Sequence, residues 1–224
     1  FIGTSLTGDS FLFGNSNHGV HISGSPDNEI GGPAATAFNV ISGNTLDGVH
    51  VEGANANGNL IRNNLIGTDN ETIKAHPNFN AGICINNAPS NIIGGETREH
   101  ANIISGNGNA GVVIEGSGAA GNQVLGNIIG ADMDGAAGIE NEGPGILIQQ
   151  GASSNIIGAA GAGNIVSGNM THGIEINGAE TQNNLVASNY IGAHGNGKEV
   201  LPNAGSGIYI EKAQNSTIGP GNLI

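Results

Sequence analysis

The residues with the most chemical potential in this chain are its histidines and carboxylates. Two histidines sit in matching segments, Gly19-Val-His-Ile22 and Gly48-Val-His-Val51, and Glu52 follows the second of them directly. If the two segments pair in register, His21 and His50 lie one strand spacing apart, about 4.8 Å. Two imidazoles and a carboxylate at that separation are a donor set for a transition metal. The sequence alone favours a plainer state, two solvated imidazoles on an exposed sheet, and no metal site is assigned. A carboxylate pair for acid–base work is available only from Asp27, Asp47 and Glu52, and their spacing does not single out a pair. Acidic residues at Asp69, Glu71, Asp132, Asp134, Glu140 and Glu142 leave calcium open. The reading for them is solubility, because they follow no nonapeptide calcium repeat, and no cofactor is expected. The lone Cys84 rules out an internal disulfide. Five basic against eighteen acidic residues give a formal charge of −13, which argues against a nucleic-acid partner or an anionic membrane surface. No run of apolar residues is long enough to insert into a membrane.

What would position these groups is a repeat. Segments of the form Gly-aliphatic-x-aliphatic open at Gly19, Gly48, Gly82, Gly111, Gly145, Gly173 and Gly207, in steps of 29, 34, 29, 34, 28 and 34. Each unit adds two segments of the form Asn-x-aliphatic. The first starts at Asn28, Asn59, Asn91, Asn122, Asn155, Asn184 and, as the exception, Ser216; the second starts at Asn39, Asn64, Asn102, Asn127, Asn164, Asn189 and Asn222. The aliphatic positions are all Ile or Val, which favour strands. Three short strands recurring in one order cannot form hairpins, so each meets its copy in the next unit, in parallel. The prediction is a right-handed parallel β-helix, a three-sheet solenoid of about seven coils built from alternating 29- and 34-residue units. Its interior holds the Ile and Val stacks, and Asn side chains form ladders at the corners. Short units carry extra residues between the second and third strands, long units after the third. Loops at one corner of every second coil fit, because packed layers need roughly 10 Å where coils rise by only ~4.8 Å.

The segments Ser90-Asn-Ile-Ile-Gly-Gly95, Asn102-Ile-Ile-Ser-Gly-Asn107, Gly121-Asn-Gln-Val-Leu-Gly-Asn-Ile-Ile-Gly130 and Gly145-Ile-Leu-Ile148 resemble the parallel β-helix repeat family, also called pectate-lyase-like. The resemblance covers essentially the whole chain and is closest to long repetitive proteins of bacterial surfaces or secretions. It implies the fold. It does not imply one function, since the family includes lyases, hydrolases, epimerases, adhesins and tail spikes. Polyuronate-cleaving relatives use an Arg base with calcium-binding carboxylates, or Asp residues clustered on neighbouring coils with a His. Here Arg62 and Arg98 have no matching Asp run, and Asp-Asp, Gly-His-Gly and Asp-Pro-His are all absent. Asn44-Thr-Leu-Asp47 only echoes a hydrolase motif.

The expectation is therefore an extracellular or cell-surface rod, structural or adhesive, and not an enzyme, with no catalytic residues and no cleavage of pectate, polygalacturonate or alginate. The alternative is a polysaccharide-active enzyme (lyase, hydrolase or epimerase) or a glycan-binding module of the same fold. The discriminating feature is a set of converging carboxylates on one sheet. Outward-facing Cys84, Val113 and Leu147 form an apolar stripe that fits a lateral contact. Residues 1–224 read as a single domain, part of a longer rod: Phe1-Ile-Gly-Thr4 and Asn222-Leu-Ile224 each match a third strand, so the chain enters and leaves in mid-coil. Ile2 and Leu223 then mark end contacts, with self-association or further repeats as partners and glycans left open.

Overall fold

The structure is a computed structural model and describes residues 1–5, 14–34 and 36–224. Each coil contributes a four-residue strand opened by Gly, and in all but the last coil two shorter strands follow. The first sheet stacks Val20–Ser23, Val49–Glu52, Ile83–Asn86, Val112–Glu115, Ile146–Gln149, Ile174–Asn177 and Ile208–Glu211. The second sheet also has seven strands and the third has six, and all strand pairs in the three sheets are parallel. The bridges Ile2–Ile41 and Tyr190–Leu223 extend the third sheet at its two ends. Six coils are thus complete in all three sheets, one fewer than the repeat suggests, because the last coil contributes only a bridge to the third sheet. Among the described residues the helical content is a single 3-10 turn, Arg98–His100.

The core follows from the alternation in each strand. Val49 and Val51 point inward, as do their counterparts Ile83 and Ile85, and Ile61 and Ile66 complete the triangle from the other sheets, all with no exposure. Burial weakens only in the terminal coils, where Ile210, Ile218 and Ile224 are exposed. The Gly that opens each first strand is required by close approach: a Cβ on Gly48 would stand 2.7 Å from the carbonyl oxygen of Gly82 in the next coil.

Both predicted Asn ladders form. Asn59 donates to Asn91 at 2.9 Å and Asn102 to Asn127 at 2.9 Å, each fully buried. Each Oδ1 also accepts the backbone N–H of the preceding rung, as Asn102 does from Asn64 at 3.0 Å. A third ladder runs through Asn15, Asn44, Asn78, Asn107, Asn141, Asn169 and Asn203. It lies at a constant four residues before the opening Gly, a regularity in the sequence that the strand pattern had hidden. The long loops fold on themselves through the bridges Thr68–Ala75, Ala131–Gly138 and Ala193–Val200. Loops of alternate coils touch, Gly195 N donating to Gly135 O at 2.9 Å, as the two-coil spacing requires.

Candidate functional site

The residue before each opening Gly forms its own column at the entrance to the first sheet: His18, Asp47, Ala81, Ala110, Pro144, His172 and Ser206. Stacking places His18 beside Asp47, and the next strand places His21 beside His50 and Ser23 beside Glu52. Three imidazoles and two carboxylates therefore meet at the first two coils.

Asp47 is the anchor. Its side chain is 2% exposed. Oδ1 accepts Asn80 Nδ2 at 2.7 Å and the backbone N–H of Ala81 at 3.0 Å, both from the following coil. That leaves Oδ2 facing the imidazoles, with His50 Nδ1 at 2.7 Å and His18 Nδ1 at 3.2 Å. The two histidines are not equivalent. His18 Nδ1 accepts the backbone N–H of Asp47 at 3.2 Å, so it offers its carboxylate neighbour no proton. His50 Nδ1 is free to donate to Oδ2, which turns its Nε2 toward the outer face. The rings of His18 and His50 stack with centroids 4.3 Å apart.

The electrostatics follow this asymmetry. Burial, and then the neighbouring His50, hold His18 below the usual histidine value. Burial also works against the charged form of His50, but the hydrogen bond to Asp47 and the charges of Asp47 and Glu52 outweigh it and raise its pKa. Glu52 is drawn below the usual carboxylate range by hydrogen bonds from His21 and Ser23. His21 Nε2 lies 3.0 Å from Glu52 Oε1, and His50 Nε2 lies 3.7 Å from Glu52 Oε2. Proton transfer at His50 Nε2, with Asp47 stabilising the imidazolium, is within the reach of this arrangement. So is metal ligation by the outer donors.

The weak metal candidates His21, His50 and Glu52 are thus brought together, and His50 is not the solvated imidazole of the sequence reading. Asp47 is one of the three carboxylates that the sequence leaves unpaired, and His18 lies outside the strand segments that the repeat singles out. The signal for both was their shared position before Gly19 and Gly48. Asp27 does not join the cluster and takes a positive φ of 58° in a connection. Arg62 is held by Glu29 on the second sheet, at 2.7 and 2.8 Å. Arg98 donates to Met133 O at 2.8 Å in a loop. Among the acidic loop residues, Asp69 Oδ1 accepts the N–H of Ile73 at 2.8 Å and Asp132 Oδ1 that of Ala136 at 2.7 Å, so both close their own turns. Cys84 and Val113 are buried with Ala81 and Ala110, and Leu147 packs at the edge of that group. Burial pushes the Cys84 thiol well above its ordinary range. Ile2 packs on the main core, while Leu223 is exposed.

No family model matches the chain, and no curated protein matches its sequence. Among solved structures it is similar to a mutant of the periplasmic alginate epimerase AlgG, with 22% identity and a TM-score of 0.57. The match covers 79% of this chain and 33% of the other, so the chain spans about a third of that protein's length. At this identity the likeness shows the fold, a parallel β-helix of the pectate-lyase-like kind. It also overturns the expectation that the chain is not an enzyme. That expectation leaned on the regularity of the repeat, and in the alginate epimerase the same architecture belongs to an enzyme. The described residues include no helix long and apolar enough to cross a membrane.

Proposed function

We propose that this protein is a polysaccharide-active enzyme, working outside the cytoplasm, that removes a proton from a uronate sugar at the outer face of the first sheet. The single observation that carries the reading is the buried Asp47 with His50 Nδ1 at 2.7 Å and His50 Nε2 turned outward. A carboxylate placed this way fixes the tautomer of the imidazole and stabilises its protonated form. The raised pKa of His50 suits a group that must take up a proton near neutral pH. The fold shared with an alginate epimerase supports a uronate polymer as the substrate class.

In this reading His50 Nε2 abstracts the proton on the carbon next to the sugar carboxylate. The electron pair moves into the carboxylate, and the proton rests on the imidazole against Asp47. A proton delivered from water to the opposite face gives the epimer, with the His50 proton released to solvent; alternatively the electron pair returns to expel the glycosidic oxygen, which takes up a proton from water, and an unsaturated end is left. Among the described residues no Lys or Arg side chain pairs with the cluster.

The test is incubation with polymannuronate, polygalacturonate and related polymers, following both epimer content and unsaturated ends. The expected outcome is product that falls by a factor of about 10² or more in His50→Gln. Absence of product with every uronate polymer, or product unaffected by His50→Gln, would overturn the reading.

A further inference from the structure

We propose that His21, His50 and Glu52 form a binding site for one divalent transition-metal ion of the zinc type, with Asp47 as a positioning residue behind it. This site does not rest on the reaction proposed above.

One donor atom from each of His21, His50 and Glu52 lies within 4.8 Å of the other two. Ligand bonds of about 2.0–2.1 Å in a tetrahedral site put neighbouring donors roughly 3.3 Å apart. Glu52 Oε1 stands 3.0 Å from His21 Nε2, in a hydrogen bond that an ion would replace, and Glu52 Oε2 stands 3.7 Å from His50 Nε2, on either side of that value. Small rotations of two exposed side chains would close the set, since His21 and Glu52 are each 43% exposed. The solvent side is left for a fourth ligand. Two imidazoles and one carboxylate select zinc or its neighbours over calcium or magnesium, which prefer all-oxygen shells.

What distinguishes this cluster from a chance meeting of surface side chains is the group behind it. A ligating histidine needs its second nitrogen held by an acceptor, which fixes the tautomer and makes the ligand more basic. Asp47 Oδ2 does this for His50 Nδ1 at 2.7 Å, and Asp47 is itself held by Asn80 and Ala81. The deeper alternative, His18 with Asp47 and His50, fails on the same geometry. His18 Nδ1 already accepts the Asp47 N–H, and the 2% exposed Asp47 side chain holds His50 Nδ1 at 2.7 Å, a buried pair that, unlike the exposed His21 and Glu52, cannot rotate apart to admit an ion. Where both proposals hold, an ion on His50 Nε2 occupies the lone pair that would take the proton. Metal binding and proton transfer are then exclusive states of one site.

The experiment titrates the full chain with zinc chloride by calorimetry and with cobalt(II) by visible absorption. The expected result is one ion per chain with a tetrahedral cobalt spectrum. His21→Ala and Glu52→Gln, both at exposed positions, each weaken binding at least tenfold. Asp47→Asn weakens it about 10–100-fold. His172→Ala, at the far end of the same sheet, leaves it unchanged. No saturable binding by the unmodified chain, or unmodified affinity in either His21→Ala or Glu52→Gln, overturns the proposal. Retained zinc binding with no uronate activity would sink the reaction and leave the metal site standing.

Discussion

Asp47 binds three partners through its two oxygens and a fourth, His18, through its backbone N–H, and the contacts to the two histidines set their states. His50 keeps a proton on Nδ1 because Oδ2 accepts it, whereas His18 is kept neutral because its own Nδ1 already accepts the Asp47 N–H. The two imidazoles, stacked 4.3 Å apart, should therefore titrate on opposite sides of 6.5, His50 above and His18 below. An NMR titration of the ring protons checks this. In Asp47→Asn the His50 midpoint should move down, since the hydrogen bond and charge that raise it are gone while the burial that lowers it remains. An unmoved midpoint would mean that Asp47 does not control His50. One coil further, the buried Cys84 thiol stays protonated well above neutrality. A thiol reagent at pH 8 should modify the unfolded chain and leave the native chain untouched over the same interval; rapid labelling of the native protein would contradict the packing of Cys84 between Ala81 and Ala110.

At the scale of the elements, the ladders and the opening glycines do for the backbone corners what Ile and Val do for the interior. Asn102 accepts both the backbone N–H and the side-chain Nδ2 of Asn64, each at 3.0 Å, and donates to Ile61 O at 2.8 Å and Asn127 at 2.9 Å. Replacing it by Ala strands buried polar groups in two coils, at about 2–4 kcal/mol of stability. Replacing the exposed Asn57 the same way should change almost nothing. Urea unfolding of the two variants decides it, and equal effects would show that the ladder is not structural. This level was largely legible in the sequence, because a strand's inward positions and a ladder's rungs recur at fixed offsets. The third Asn ladder is equally regular, yet it lies outside the strand segments, where the alternation of apolar residues does not point to it. The site was less legible for a related reason. His18 and Asp47 lie in a turn, one residue before the opening Gly, and in different units. Their meeting depends on the close stacking that Gly19 and Gly48 permit and on Asn80 and Ala81 pinning Asp47 from a third coil. Only the Gly-x-His segments announced part of it.

For the whole molecule, regular stacking and a localised site turn out to be compatible. The coils repeat their backbone closely, and the histidine–carboxylate cluster is confined to outward and turn positions where side-chain identity is free to vary from coil to coil. The first sheet's outer column accordingly changes character along the axis, from His21 and His50 through Cys84, Val113 and Leu147 to Glu175 and Tyr209. A strongly acidic chain offers its imidazole cluster at one end of that column. The central claim is that this cluster moves a proton on and off a sugar carbon, and solvent isotope exchange reads that step without assuming which product follows. A uronate polymer incubated with the protein in deuterium oxide should gain deuterium on the carbon next to the carboxylate, seen by NMR, at a rate that falls by a factor of about 10² or more in His50→Gln. Exchange no faster than in the protein-free polymer, or undiminished in His50→Gln, would contradict the account.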